Sequence, residues 1–315
     1  MRDSSAVRRS VGRRILVVAV GVVALTSASI ASLLVVSHMR IDRKKSQVFE
    51  VLGLGFDPRL TDSVPVAERA RLYEARGCAD CHGVNGAGKV FMDSQPLATF
   101  RGANITPGAG GLSPDTTPAD FDAAVRHGLS RARTPLMMMK AEDFTQLSDT
   151  ELAALYAHVK SLAPVDVDAA TEAHNVGPLG TVLIAFDKFP AFDAFVVDHN
   201  APRPAAPPVG PTAEYGAYLA QGCKGCHGAG LAGGPLPGAP PDLPVPTNIT
   251  PDATGLAGWT YAEFDSALRE GLKRDGTKIN EFMPVAGSLS KMTDTESQAL
   301  YAHLKALPPR PFGSR

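Results

Sequence analysis

The longest apolar stretch lies near the start of the chain. Residues 15–37 contain no charged side chain, and basic residues stand on both sides of this run. About 20 apolar residues in a helix are enough to cross the hydrocarbon core of a bilayer, so the run predicts a transmembrane anchor. A cleaved signal peptide is the alternative, because Ala28 and Ala31 follow small residues at the spacing of a cleavage site. We expect residues 1–45 to form a cytoplasmic N-terminus and an uncleaved anchor.

The rest of the chain alternates short amphipathic segments with loops rich in glycine and proline. Leu152, Leu155 and Val159 recur at the spacing of one helix face, which predicts a helix there. No stretch shows the strict alternation of a half-buried strand, so the predicted fold class after the anchor is all-α with much loop. The other predicted helices cover residues 66–76, 118–128, 213–221 and 260–271.

The sequence repeats itself at a spacing of 145 residues. ALYAHVKSL at 154–162 matches ALYAHLKAL at 299–307, and ANITP at 103–107 matches TNITP at 247–251 with a shift of one residue. Repeats of about 100 residues have the size of a domain, so we predict two homologous domains. The predicted division is a connecting segment at 46–65, domain 1 at 66–163, a strap and linker at 164–211, and domain 2 at 212–315.

The last predicted helix of each repeat begins with the same signal. SDTE at 148–151 and TDTE at 293–296 place a hydroxyl residue three positions before a glutamate. In a capping box the hydroxyl accepts the backbone N–H of the glutamate, and the carboxylate accepts the backbone N–H of the hydroxyl residue. We predict this reciprocal pair in both repeats.

Residues 164–211 fit neither repeat. GPLGTVLIAFDKFPAF at 177–192 is apolar without a clear period, and it is too short to span a membrane. We interpret it as a strap packed against one or both domains, with a partner-binding segment as the alternative. APRPAAPPVGP at 201–211 predicts a stiff linker because proline-rich segments are extended.

The net charge of −1 conceals an uneven distribution. Residues 1–45 hold nine basic and two acidic side chains, whereas residues 46–315 hold 22 basic and 30 acidic ones. An acidic body of charge −8 argues against binding of nucleic acid, which requires a basic surface. It is able to steer a basic protein partner at low salt.

All four cysteines belong to two copies of one motif, GCADCHG at 77–83 and GCKGCHG at 222–228. A zinc site usually needs two such pairs close together, and these pairs are 145 residues apart. A redox pair of the thioredoxin type needs a strand–helix context, which the sequence does not show. A structural disulfide leaves the histidine unexplained. Cys-x-x-Cys-His is, however, the signature of covalent haem attachment.

The motif therefore predicts two covalently bound haem c groups. The two thiols of each motif add to the two vinyl groups of a haem, and the adjacent histidine becomes an axial ligand of the iron. The predicted attachment residues are Cys78 and Cys81 in the first repeat and Cys223 and Cys226 in the second. The predicted axial histidines are His82 and His227.

The repeat also predicts the second axial ligands. Met138 and Met283 each lie 56 residues after the motif histidine. A thioether ligand raises the reduction potential relative to a second histidine, and it closes the sixth coordination position. The alternative is that these methionines only fill the core, as we expect for Met292, which aligns with Leu147.

Four further residues are weaker candidates for contacts with haem. Trp259, the only tryptophan, has an indole N–H that suits a haem propionate, or it belongs to the core. Arg274 is a second candidate for a propionate. Asn104 and Asn248, in the repeated NIT segment, either line the haem edge or shape a turn.

Several of these motifs together resemble a known family. CxxCHG, NITP, the EFDSALREG helix, RDGT, MP and MTDTE are similar to the class I cytochrome c domains in cytochrome subunits of membrane-bound periplasmic dehydrogenases, such as alcohol and gluconate dehydrogenases. The resemblance covers roughly 66–163 and 212–308 and is strongest in the second repeat. It implies a fold in which the first and last helices cross next to the haem. It also implies electrons that arrive from a catalytic partner subunit and leave towards quinone or a terminal oxidase.

The chain departs from that family in three ways. The subunits commonly carry three haem domains and often a C-terminal anchor, whereas this chain has two motifs and an N-terminal apolar run. The first repeat also lacks equivalents of Trp259 and of the MP dipeptide. These departures leave the catalytic partner open.

The expected function is electron transfer rather than catalysis. We expect a dihaem cytochrome c anchored by one helix in the inner membrane, with its haem domains in the periplasm, where c-type haem is attached. Its expected partners are a dehydrogenase subunit, a respiratory complex or a terminal oxidase. The enzymatic alternative is a dihaem peroxidase. That enzyme would require an open coordination position on one of the two irons. A structural subunit of a larger respiratory complex is a further alternative.

Overall fold

The N-terminal helix α1 spans Ser4–Ser46. The computed structural model describes residues 4–168, 174–203, 205–236 and 243–315. Within them, Leu16–Ser46 is the one stretch that is long and apolar enough to cross a membrane, and none of its apolar window is buried. That exposure excludes a core helix, although a signal sequence would have the same length and composition.

The first repeat contains four helices: α2 (Val66–Ala75), α3 (Cys78–His82), α4 (Pro118–His127) and α5 (Asp149–Ser161). Helix α4 begins where Thr117 and Asp120 form a capping box, and it ends at Gly128, whose φ of +63° suits glycine. Helices α2 and α5 pack against each other through a buried apolar core. The core includes Leu72, Tyr73, Leu152, Leu155 and Val159.

The second repeat follows the same plan. Its helices are α7 (Ala213–Leu219), α8 (Gln221–His227), α9 (Tyr261–Asp265) and α10 (Asp294–Ala306). The predicted helix at 260–271 is α9 continued by a π-helical turn over Ser266–Glu270. Helices α7 and α10 cross so closely that a Cβ on Gly216 would overlap the carbonyl oxygen of Ala299. The first and last helices of this repeat therefore cross, as the resemblance implied.

The prediction of an all-α body is wrong in one respect. The described residues include a small antiparallel sheet in the order β1 (Val90–Ser94), β2 (Ala98–Arg101) and β3 (Asn175–Val176). The strands are two to five residues long, and β1 contains an irregularity between Val90 and Met92. Strands this short and irregular do not produce a period-2 pattern that sequence inspection recognises.

The strap packs against the first repeat and helix α1. It supplies β3 to the sheet and forms helix α6 (Pro178–Ala185), which packs along α1. Ile184 and Phe192 of the strap join Phe100 of β2 and Ile41 of α1 in one buried cluster. The predicted strap thus connects helix α1 with the first repeat by packing against both. Residues 169–173 of the strap and position 204 of the linker lie outside the described residues.

The two repeats meet across a buried polar network. The Arg76 guanidinium contacts Glu151 of its own repeat at 2.6 Å and Glu296 of the other repeat at 3.1 Å. Tyr218 of the second repeat donates its hydroxyl hydrogen bond to Glu151 and accepts the backbone N–H of Ser148.

Because of this network, only one of the two predicted capping boxes is complete. Thr293 and Glu296 form the complete reciprocal pair. Ser148 accepts the Glu151 backbone N–H at 3.2 Å, but the Glu151 carboxylate is engaged by Arg76 and Tyr218 instead. The prediction of a reciprocal box at 148–151 is therefore wrong in its second half, because contacts between the repeats draw the carboxylate away.

Candidate haem-attachment sites

Each Cys-x-x-Cys-His motif forms a short helix. Helix α3 follows Gly77 and ends at Gly83, and both glycines have positive φ values, of 81° and 76°. Helix α8 ends in the same way at Gly228, with a φ of 81°. Residues three and four positions apart lie on one helix face, so both cysteines and the histidine of a motif share a face.

The structure orients both motif histidines in the same way. His82 Nδ1 lies 2.8 Å from the carbonyl oxygen of Ala103, and His227 Nδ1 lies 2.7 Å from that of Thr247. A carbonyl only accepts, so Nδ1 carries the proton and Nε2 keeps its lone pair. Burial lowers the pKa of both histidines, which favours the neutral imidazole that a metal ion requires. Both rings therefore suit ligation of an iron through Nε2.

The asparagines of the NIT segments hold these carbonyls in place. The side-chain oxygen of Asn104 accepts the backbone N–H and the hydroxyl of Thr106, at 2.9 and 2.8 Å. Asn248 makes the same two bonds to Thr250, and its amide group donates to the carbonyl of Arg310 at 2.8 Å. The structure thus supports the turn-shaping alternative, since each turn directly follows the carbonyl that fixes a motif histidine.

The histidine acceptors themselves were missed from the sequence. Ala103 and Thr247 act through their backbone, so their side chains carry no chemical signal. The one available signal was positional, because both residues directly precede the repeated NIT segment.

The thiols do not have the properties of redox or zinc-binding cysteines. Burial raises the pKa of Cys78 to about 12 and that of Cys81 to about 11. Burial also raises the pKa of Cys223 to about 12. Redox-active cysteines need accessible thiolates, which these environments disfavour. All four cysteines are free of disulfides, and no group of three or more potential metal ligands occurs among the described residues.

The predicted methionine ligand of the second repeat lies in the same cluster as a predicted attachment cysteine. Met283 and Cys223 both pack against the apolar core formed by residues such as Leu268 and Leu304. Met292, which we expected to be core, is buried in the same cluster. A thiol and a thioether that a haem in the second repeat would need therefore border the same apolar core.

The first repeat offers a second methionine beside the predicted one. Met138 has a φ of 62°, donates its backbone N–H to Ala191 of the strap at 2.8 Å, and packs against the strap cluster. The Met139 carbonyl accepts the N–H of Ala141 at 2.9 Å, and the Met283 carbonyl accepts that of Val285 at 2.7 Å. The spacing from the motif histidine therefore predicts Met138 as the equivalent of Met283, whereas the shared backbone turn indicates Met139.

The two residues considered for propionate binding lie side by side. The Arg274 guanidinium is 5.8 Å from the centre of the Trp259 ring and forms a 3.0 Å ion pair with Glu263. Trp259 packs against the core of the second repeat, and its carbonyl accepts the Tyr301 hydroxyl at 2.8 Å. The geometry brings these side chains together at the N-terminal end of helix α9, where Arg274 remains half-exposed.

Each attachment helix contacts the loop that follows the candidate methionine of the other repeat. Asp80, inside the first motif, accepts a hydrogen bond from Ser288, five residues after Met283. Gly225, inside the second motif, faces Asp143 so closely that a Cβ there would lie 2.7 Å from the carboxylate. No local sequence pattern predicts this reciprocal contact, because it joins residues of different repeats.

Comparison with known proteins agrees with this geometry. The cytochrome c family matches residues 66–163 and 213–308, which together make up more than half of the chain. The chain therefore belongs to the cytochrome c family.

Among individual relatives, a protein named diheme cytochrome c-type from Cereibacter sphaeroides is 27% identical over 268 residues, which cover 76% of this chain and 84% of that protein. The gluconate 2-dehydrogenase cytochrome c subunit of Pantoea cypripedii is 30% identical over 272 residues, covering 75% of this chain and 58% of the relative. The cytochrome c subunit of the quinone alcohol dehydrogenase of Gluconacetobacter polyoxogenes is 43% identical over 95 residues, or 28% of this chain. The match spans only 20% of that relative's length.

Proposed function

We propose that the protein is a dihaem c-type cytochrome that relays single electrons between a dehydrogenase or respiratory complex and a downstream acceptor. The observation that carries this proposal is the matched orientation of His82 and His227. In both repeats a backbone carbonyl holds Nδ1–H, so Nε2 would be available to bind the haem iron on the helix face that also carries two cysteines. Haem c would supply reversible one-electron chemistry at each site.

The chain contributes attachment, ligation and shielding. Cys78 and Cys81 would hold one haem, and Cys223 and Cys226 the other. Met283 would close the sixth position in the second repeat, and a methionine of the Met138–Met139 pair would do so in the first. A closed position disfavours peroxidase chemistry and favours electron transfer. Trp259 and Arg274 lie together and suit the propionate edge of the second haem.

The proposed location is the periplasmic face of the inner membrane. Covalent attachment of haem c takes place outside the cytoplasm, so the body following α1 would lie on that side. The apolar window of α1 is unburied, is long enough to span a bilayer and ends at a basic segment that includes Arg43, Lys44 and Lys45, which supports a retained anchor. Basic residues flank the window on both sides, so they do not select its orientation. The relatives named as cytochrome subunits support a dehydrogenase as electron donor. The acidic body suits a basic partner.

The haem count tests the proposal directly. The chain is produced together with a c-type maturation system, and its intact mass and haem content are measured. We expect two covalent haems in the wild-type chain and one in a matched double variant, Cys223→Ala with Cys226→Ala. A bare polypeptide mass in a host that matures other c-type cytochromes would refute the proposal. Purification from native membranes would then identify the electron donor.

A further inference from the structure

The strap exposes apolar side chains beside the anchor helix. Leu179 and Phe186 are 49% and 36% exposed, and Phe195 and Val196 are 40% and 64% exposed. Large apolar residues that are exposed singly are ordinary, but a group of them on one segment marks an interaction surface. We call these four residues the strap surface.

The strap surface lies beside residues 40–44 of α1, directly after the end of the uncharged run. The Arg40 guanidinium is 4.4 Å from the centre of the Phe186 ring, and the Lys44 ammonium is 5.7 Å from that of Phe195. A helix rises 1.5 Å per residue, so residues 40–44 lie about 5–10 Å beyond residue 37, where the uncharged run ends. The polar interface of a bilayer is about 5–8 Å deep on each side. If α1 spans the membrane, the Phe186 ring beside Arg40 therefore lies within that interface, and the Phe195 ring beside Lys44 lies at its outer edge.

The charges around the strap surface suit lipid headgroups. Arg40, Arg43, Lys44 and Lys45 follow the uncharged run, and Lys188 lies in the strap next to Phe186 and Asp187. Asp187 is paired with Lys44, and Asp193, the other acidic residue between Leu179 and Val196, is buried and paired with Lys140. Aromatic and aliphatic side chains bordered by basic ones are typical of segments that lie in the plane of an anionic interface.

The position of the strap surface is fixed by packing. Helix α6 packs along α1, with Ile184 and Ala185 buried in the cluster that contains Ile41. The same cluster contains Phe100 of the first repeat. The strap surface, the anchor and the first repeat therefore form one packed unit.

We propose that the strap surface is a second membrane contact, which inserts into the lipid interface beside α1. The partner of this surface is the bilayer, because the strap packs directly along the anchor helix and basic side chains border its apolar residues. The contact holds the first repeat at a fixed height and tilt above the membrane. This inference rests on the membrane anchoring in the proposed function.

Spin labelling of the full haem-loaded chain in anionic vesicles tests this contact. All four native cysteines would be thioether-bonded, so a single introduced cysteine is the only free thiol, and the unmodified chain is the labelling blank. Labels are placed on the strap surface by Leu179→Cys and Val196→Cys. Leu33→Cys in the uncharged run provides the lipid reference, and Val245→Cys in the second repeat provides the aqueous reference. Collision rates with oxygen and with a water-soluble nickel chelate are measured for each label.

The inference predicts a loss of nickel collisions at the strap labels, with an oxygen-to-nickel ratio approaching that of Leu33→Cys. A ratio equal to that of Val245→Cys would overturn it, and so would protection from both reagents, which indicates a protein contact. If the Leu33→Cys label itself behaves as aqueous, the anchor fails and the proposed location fails with it. If only the strap labels are aqueous, the anchor stands and the strap contact alone is refuted.

Discussion

Arg76 of the first repeat and Glu296 of the second form a buried ion pair with an N–O distance of 3.1 Å. Glu296 is 1% exposed, and Arg76 also pairs with Glu151 at 2.6 Å. Burial opposes ionisation of Glu296, but the charges and hydrogen bonds of Arg76 and Arg71 hold its pKa below the usual value. One guanidinium thus joins the equivalent glutamates of the two capping sequences.

Removing this guanidinium should destabilise the contact between the repeats. Arg76→Met removes the shared partner of the buried Glu296 and the partly buried Glu151. The expected cost is about 3 kcal/mol, at the lower end for a broken buried pair, because Glu296 keeps its ion pair with Arg71. Urea unfolding at neutral pH measures the loss. Arg59→Met, at an exposed ion pair with Asp57, is the control and should leave the midpoint unchanged. Equal effects of the two substitutions would contradict the assigned role of Arg76.

Two glycines of the second repeat should respond differently to alanine. A Cβ on Gly216 would overlap the Ala299 carbonyl at the crossing of α7 and α10, whereas a Cβ on Gly222 meets no atom within 4 Å. Gly216→Ala should therefore cost about 1–3 kcal/mol through overpacking. Gly222→Ala should be neutral or slightly stabilising, because alanine favours a helix. Thermal unfolding of both variants provides the comparison, and a neutral Gly216→Ala would show that the helices do not cross as described.

The methionine ligand of the first repeat can be assigned by paired substitutions. Because Met139 shares the backbone turn of Met283, Met139→Leu should abolish one equivalent of the methionine–iron charge-transfer absorption. Met138→Leu should retain both equivalents, since its side chain packs against the strap cluster. The reverse result would assign the ligand to Met138, as the spacing from His82 predicts.

The second repeat permits a change of ligand rather than its loss. Met283→His should keep the haem bound and lower the reduction potential of that centre, because imidazole stabilises ferric iron more than a thioether does. Redox titration resolves the two centres, and the potential of the first should change little. An unchanged potential at the second centre would remove Met283 from the ligand set.

Asp143 should make stability depend on pH near 6. Burial raises its pKa from 3.8 to about 6, so folding favours the protonated carboxyl. Its favourable contribution is complete below pH 3.8 and is lost as the pH rises to about 6. Asp143→Asn should therefore be more stable than the unmodified chain at pH 8, by about 1–3 kcal/mol, with little difference at pH 3.5. Urea unfolding at both pH values, with the exposed neighbour Glu142→Gln as control, tests this. A pH-independent difference would be inconsistent with the raised pKa.

The sequence predicted those elements whose signals are local. Helices α2 and α4 begin and end near the predicted residues, and α5 and α10 begin at the predicted capping residues. The apolar spacing and the hydroxyl caps that mark these helices lie within a few positions of one another. The sheet was missed because its third strand comes from a distant segment and has two residues. Glu151 was assigned to a cap that it only half forms, because Arg76 and Tyr218 approach it through the tertiary fold.

The candidate sites show the same limit. Spacing alone identified the cysteines and histidines, which lie together on short helices. It did not reveal that Ala103 and Thr247 fix the rings, since a backbone carbonyl has no sequence signature. Tyr73 and Tyr218 occupy equivalent positions in the repeat, but Tyr73 donates to Gly83 within its own repeat, whereas Tyr218 donates across the interface.

The reciprocal contact of Asp80 with Ser288 and of Gly225 with Asp143 has a consequence for how such a chain evolves. Residues of each repeat pack against the attachment helix of the other, so the two repeats are not free to change independently during evolution. A substitution that alters one attachment site should also alter the packing of the other. Compensating substitutions should therefore appear in the other repeat. The two repeats should therefore evolve as one structural unit rather than as two independent domains.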